Sequence, residues 1–297
     1  MKKFLKEEVE GFAGTTHVLI AILFLFLLVL FPTPFTQGYL KTITSDYLFF
    51  SVIFFTIAGA SLLPDLDNNE STAKYHTGIF GELLTITMKI TSSLAVSFTT
   101  MENDKKPKTQ HRYLWHTIFI SVCIMALLWF GIPSIGKSYL EIMKEQYSSG
   151  GWQEIVVYNV DHSSLFLGVV FSLISLNMGF NVVTWRLFKI VPWMIIKKWG
   201  PHLIQLGYIF LLLNMPLSRL EFVGLSVGIG YLFHNLGDLF SLGSIPLIWP
   251  IPAFWKKQWW WKPYMPFQLY TGGIANKILD VVLLFIDLLL FWKIFFN

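Results

Sequence analysis

Thr15-Thr16-His17-Val18-Leu19-Ile20-Ala21-Ile22-Leu23-Phe24-Leu25-Phe26-Leu27-Leu28-Val29-Leu30-Phe31-Pro32-Thr33 is the stretch on which the fold turns. Beyond His17 it holds no ionisable side chain, and it is long enough to read as a membrane-crossing helix, which takes about 20 apolar residues. Comparable runs recur at about 46–63, 113–133, 163–185, 220–241 and 278–296, with a shorter one at 202–217 between Pro201 and Pro216. Residues 79–100 are apolar too, but rich in Thr and Ser and interrupted by Glu82 and Lys89. That mixture suits a helix lying in the membrane interface better than a full span. The expectation is an all-α, polytopic integral membrane protein: about seven transmembrane helices and an additional interfacial helix in one domain, 1–297.

Composition agrees. The chain is 54% hydrophobic and only 13% charged, whereas soluble domains average about 25% charged. It holds 28 Phe and 12 Trp, many of them near the ends of apolar runs, as amphipathic aromatic rings are at bilayer surfaces. The single cysteine, Cys123, excludes a disulfide framework and a thiolate metal cluster; its expected role is small-residue packing. No small-residue cleavage pattern follows the first run, so it reads as a retained span and not a removed signal peptide. The net charge of +4 comes without a dense basic block with interleaved aromatics, so nucleic acid is not an expected partner. The expected partner is the lipid bilayer.

Orientation follows from Lys and Arg, which favour the cytoplasmic side. With seven spans, the N-terminus and the loops before Tyr113, at 186–201 and at 242–277 share one face. They carry all but Lys41, Lys137, Lys144, Arg219 and Lys293 of the 22 basic residues. The N-terminus is thus expected in the cytoplasm, the C-terminus outside, and the protein in the cytoplasmic membrane.

On this topology the unusual polar residues converge. His17 opens the first span. Asp65 and Asp67 follow Pro64 where the second leaves the membrane. His111 and Arg112 precede the third, with His116 about one turn inside it. His234 and Asp238 lie near the cytoplasmic end of the span at 220–241, four residues apart and so on one helix face. Four remote segments (15–17, 64–67, 111–117 and 230–250) therefore bring four His and three Asp to one membrane face. Ionisable groups at that depth are costly and mark sites or water-filled cavities. Imidazole with carboxylate suits Zn²⁺, Mn²⁺ or Fe, and seven groups exceed one tetrahedral shell, so one or two ions are expected. A bridged pair clamps the attacking and leaving oxygens of a phosphoester. Arg112 would face the anionic group, and Asp65 or Asp238 would act as general base.

Each group also has a plainer account. His17 could cap a helix, Asp65 and Asp67 could solvate a span end, and His111 and Arg112 could anchor headgroups. His116 could hydrogen-bond between helices, and His234 could simply bond Asp238. His76, His202, His162 and Glu82 read as peripheral. The run Lys256-Lys257-Gln258-Trp259-Trp260-Trp261-Lys262 reads as an interfacial anchor or anionic-lipid contact.

The blocks Thr16-His17, Leu63-Pro64-Asp65-Leu66-Asp67, His111-Arg112 with His116-Thr117, and Gly230-Tyr231-Leu232-Phe233-His234-Asn235-Leu236-Gly237-Asp238 leading to Trp249-Pro250 together resemble the YdjM-like family. Its members are bacterial inner-membrane proteins described as membrane-bound metal-dependent hydrolases. The family pattern is an early Gly-His, a Leu-Leu-Pro-Asp-Ile/Leu-Asp, a His-Arg-x-x-Thr-His-Ser and a Gly-Tyr-x-x-His-x-x-x-Asp ending in Trp-Pro. The order is the same here. Asn68 stands where the family often has His, Trp115 and Thr117 replace the Thr and Ser around the second His, and Thr16 replaces the early Gly. The resemblance implies metal ligands at His17, Asp65, Asp67, His111, His116, His234 and Asp238. It also implies a divalent metal (Zn or Mn) and a hydrolase of the bacterial inner membrane; a phosphoester or lipid-like substrate is expected because the site opens at headgroup depth. The alternatives are a metal-binding membrane transporter, or a regulatory or partner-binding membrane protein without turnover.

Overall fold

The structure, a computed structural model, describes residues 2–32, 46–67, 78–102, 104, 113–128, 175, 207, 210, 217–240, 245–246, 248–262 and 273–296. Among them the chain is all-helical: α1 (Lys2–Leu30), α2 (Tyr47–Ala60), α3 (Gly78–Phe98), α4 (Ile118–Ala126), α5 (Leu217–Leu239) and α6 (Ile274–Phe296), with short 3-10 turns at Pro64–Asp67, Leu114–His116 and Phe254–Lys256. The spans expected at 163–185 and 202–217 lie almost entirely outside the described residues.

Local chemistry sets the helix ends. Asp46 caps α2 by accepting from the N–H groups of Leu48 and Phe49 at 2.9 and 3.1 Å. Pro64, which cannot continue α2, opens the 3-10 turn that follows it. Thr117 caps α4, its hydroxyl accepting from Ile120 N–H at 3.2 Å and donating to the Leu114 carbonyl at 2.8 Å. That cap shifts the start of α4 to Ile118, so His116 sits in the turn before the helix and not one turn inside it. At the other extreme α1 starts at Lys2, well before the apolar stretch, because Lys, Leu and Glu are good helix formers. Cys123 is exposed, contrary to the packing role expected of it.

Printed pairs give the helix directions. Thr16 meets Asp280 and Phe26 meets Phe291, so α1 and α6 run parallel. Asp46 meets Arg219 at one end and Ser61 meets His234 at the other, so α2 and α5 run parallel. Phe26 packs on Phe54, and Leu62 lies close to Gly14, which sets α2 antiparallel to α1. Asn235 reaches Thr117 while Gly228 lies on Met125, which sets α4 antiparallel to α5. Close approach needs small residues: a Cβ on Gly228 would strike Met125, and one on Gly230 would strike the Ile57 carbonyl and Ala60. The core is aliphatic and aromatic, centred on Leu25, Ile53, Ile57, Leu66, Val227 and Tyr231.

The expected interfacial segment is helical, α3, and its hydroxyls return to the helix's own carbonyls, as Thr87 does to Leu83 and Thr91 to Thr87. Among the described residues no helix is long and apolar enough to cross a membrane. Of these helices α2 and α4 are short, with 14 and 9 residues, and α6 carries Lys277, Asp280, Asp287 and Lys293.

Candidate metal centre

Three backbone devices deliver side chains to one end of the bundle. The turn after Pro64 is anchored by Leu66, which is buried. It carries Asp67, also buried, and Asp65, whose side chain is 18% exposed. The turn holding His116 is fastened to α5: the Tyr231 hydroxyl donates to the Trp115 carbonyl at 2.7 Å. Asn235 Nδ2 lies 3.2, 3.1 and 2.8 Å from the Trp115 carbonyl, the Thr117 carbonyl and Ser121 Oγ. On its other side the Trp115 indole N–H lies 3.0 Å from the Met88 carbonyl and 2.9 Å from Thr91 Oγ1 of α3. The third device is the open C-terminal end of α2, whose Ser61 carbonyl takes the His234 Nδ1–H at 2.6 Å.

Together with α1, which carries His17, these devices gather six of the predicted residues. Asp238 is the hub: Oδ1 lies 3.4 Å from His17 Nε2, and Oδ2 lies 2.8 Å from His116 Nδ1 and 3.3 Å from His234 Nε2. His234 Nε2 is also 3.6 Å from Asp65 Oδ1, and His116 Nε2 is 3.5 Å from Asp67 Oδ1. The His17 and His234 rings stack at 3.9 Å, with His116 5.2 Å from His234. His17, His116, His234, Asp67 and Asp238 are all buried. His111 and Arg112 lie outside the described residues.

Donor and acceptor identity constrain what this cluster can hold. A carbonyl only accepts, so His234 Nδ1 carries the hydrogen and the neutral ring turns the Nε2 lone pair toward Asp65 and Asp238. A carboxylate also only accepts, so His116 Nδ1–H donates to Asp238 and its Nε2 faces Asp67. The His234 lone pair, facing carboxylates out of water, is repelled by them unless a cation stands between. Two triads fit a metal ion, His17–His234–Asp238 and Asp65–His116–His234, the ligand atoms of each lying within 4.8 Å of one another. The donor set, imidazole nitrogen with carboxylate oxygen, suits a divalent transition ion.

A family model for the YdjM inner membrane proteins matches residues 12–297. The chain belongs to the YdjM inner membrane protein family. No curated protein and no solved structure matches it. Membership makes this a membrane protein, and the buried His/Asp cluster of this YdjM protein has the composition of a metal site.

Several site residues escaped the sequence reading. Ser61 acts through its backbone carbonyl, which no residue type advertises. Asn235 had a detectable signal, an amide beside His234 in an apolar helix, where an unpaired polar group would be costly. Thr16 is a third: its hydroxyl donates to Asp280 Oδ1 at 2.5 Å and accepts from Asn276 Nδ2 at 3.0 Å. Asn276, Asp280 and Asp287 are buried along one face of α6, and their spacing of four and seven residues is a helical periodicity that could have found them.

Proposed function

We propose that this chain is a multi-pass membrane hydrolase whose His/Asp cluster holds a divalent metal, Zn or Mn, at the cytoplasmic face of the inner membrane. Its substrate would be a phosphoester or lipid-like ester. The observation that carries the reading is His234: with Nδ1–H committed to Ser61, its buried Nε2 lies 3.3 and 3.6 Å from two carboxylates. Its one lone pair on Nε2 serves one ion, so of the two triads that share it only one can be filled through His234, and a second ion would bind through His17 or His116 with the carboxylates. His17, His116, Asp67 and Asp238 complete the cage.

A divalent ion bound there supplies Lewis acidity, acidifying water at neutral pH and polarising an ester oxygen. Asp238, held among three imidazoles, serves as a ligand. Asp65 is the more exposed carboxylate and is the better base for taking a proton from attacking water. Arg112, next in sequence to His111, would meet the anionic group of the substrate.

Support for the membrane arrangement comes from α6, which leaves Val281, Phe285, Leu288 and Trp292 exposed while its Asp280 and Asp287 are buried. Parallel α1 and α6 agree with an odd number of crossings, the N-terminus inside and the C-terminus outside. The ligands cluster at one end of the bundle, where an enzyme meeting headgroups would hold them, whereas transporters hold theirs near the midplane.

The test is a screen of phospholipids and phosphoesters with the purified chain, alongside His234→Ala and Asp65→Ala. Turnover that disappears in both variants while their helical content persists supports the proposal. Turnover unchanged in either variant, or none with any substrate by a metal-loaded protein, defeats it.

A further inference from the structure

What orients His17 differs from what orients the other two imidazoles. His234 and His116 each use Nδ1 in a hydrogen bond, the usual way a ligating ring is aimed. His17 Nδ1 is buried and makes no hydrogen bond with the described residues. Its ring instead lies between the face of His234 and the backbone of α5, where a Cβ on Gly237 would come within 2.9 Å of Nδ1. The aim of His17 therefore depends on where α1 stands. The residue beside it, Thr16, is tied across 264 positions of sequence to Asp280, and Asn276 bonds the same hydroxyl. All three side chains are buried, where such bonds are costly to lose.

We propose that Thr16, Asp280 and Asn276 form a latch through which α6 positions His17 against Asp238, making Asp280 and Thr16 positioning residues of the metal centre. The inference rests on the metal reading above and extends it to a helix that contributes no ligand. Removing the latch lets α1 turn or slide, and His17 Nε2 leaves its place 3.4 Å from Asp238 Oδ1. The remaining ligands stay fastened through Ser61, Tyr231 and Asn235, so metal binding weakens without the fold being lost.

The experiment is a Co²⁺ titration of the full-length purified chain, followed by absorption, in a cycle of Thr16→Val, His17→Ala and the double variant, with Thr16→Ser as rescue. Thr16→Val should weaken Co²⁺ binding about ten- to a hundredfold, the range found for outer-shell partners of metal ligands. Thr16→Ser should stay within about twofold of the parent. In the His17→Ala background Thr16→Val should add less than about twofold, because the latch then has no ligand to aim. A purely structural hydroxyl would lower the melting temperature equally in both backgrounds and leave the Co²⁺ spectrum unchanged; that result overturns the proposal. So does a full Thr16→Val effect persisting without His17. Should Thr16→Val fail to fold, Asp280→Leu, which removes the acceptor with an apolar side chain of similar size, takes its place in the cycle. A parent chain that binds no Co²⁺ refutes the metal reading itself, a failure distinct from a parent that binds and a variant that binds equally well.

Discussion

Helices α2 and α5 are joined by charged groups at both ends, and the two junctions are built on opposite terms. At one end Arg219 Nη1 meets Asp46 Oδ2 at 2.7 Å, with the two side chains 35% and 33% exposed. At the other, His234 bonds Ser61 and faces Asp65 and Asp238 with no exposure of its own. Ion pairs in reach of solvent contribute little to stability, and the first junction, partly buried and partly open, is closer to that kind. Burying imidazoles and carboxylates together is costly unless the charges are matched. A cluster that gathers both, with ring nitrogens turned toward carboxylate oxygens, is better explained by an ion it can hold than by the strength it adds.

If so, the two junctions should respond very differently. The largest effect should come from metal itself. Saturating Zn²⁺ or Mn²⁺, at about a thousand times its dissociation constant, should stabilise the chain by about 4 kcal/mol over a chelated sample. The measurement is thermal unfolding followed by circular dichroism, and an unfolding curve indifferent to chelator would erase the contrast between the junctions.

Next is Asn235→Leu, which removes one donor from each of the Trp115 and Thr117 carbonyls, leaving Trp115 its bond from Tyr231 and Thr117 its bonds from Ser121. The cost should be about 1–3 kcal/mol of stability, with metal affinity falling as well because the turn carrying His116 is then held by Tyr231 and the Trp115 indole without the Asn235 amide. Calorimetric metal titration of the variant would separate the two losses, and an unchanged affinity would show that the turn needs no such tether. The smallest effect belongs to the partly open junction: Arg219→Ala should cost less than about 1 kcal/mol in denaturant unfolding and leave metal content as it was. A larger cost there would mean that burial does not divide the two ends.

The helical class and the meeting of His17, Asp65, Asp67, His116, His234 and Asp238 at one end were both legible from the sequence. Long apolar runs have few other folded outcomes, and polar residues at their ends stand out against them. His234 and Asp238 were the easiest pair, since a spacing of four residues carries its own geometry. His116 was misplaced because the Thr117 cap, a local hydroxyl bond, moves the helix start by several residues, and hydropathy is blind to caps. Ser61 was out of reach in principle, as any residue there would offer the same carbonyl. The Thr16–Asp280 contact joins the two ends of the chain, and one sequence contains no signal that pairs residues 264 positions apart. The charged residues of α6 also break the simple picture of an apolar span, although Asp280 and Asp287 are buried, away from the exposed apolar face, and only Lys277 and Lys293 are exposed.

The most direct test is elemental analysis of the full-length chain purified without chelator, beside His234→Ala prepared identically. The account predicts at least one equivalent of a transition metal in the parent and close to none in the variant. Equal metal in both, or none in the parent after incubation with Zn²⁺ or Mn²⁺, would contradict it.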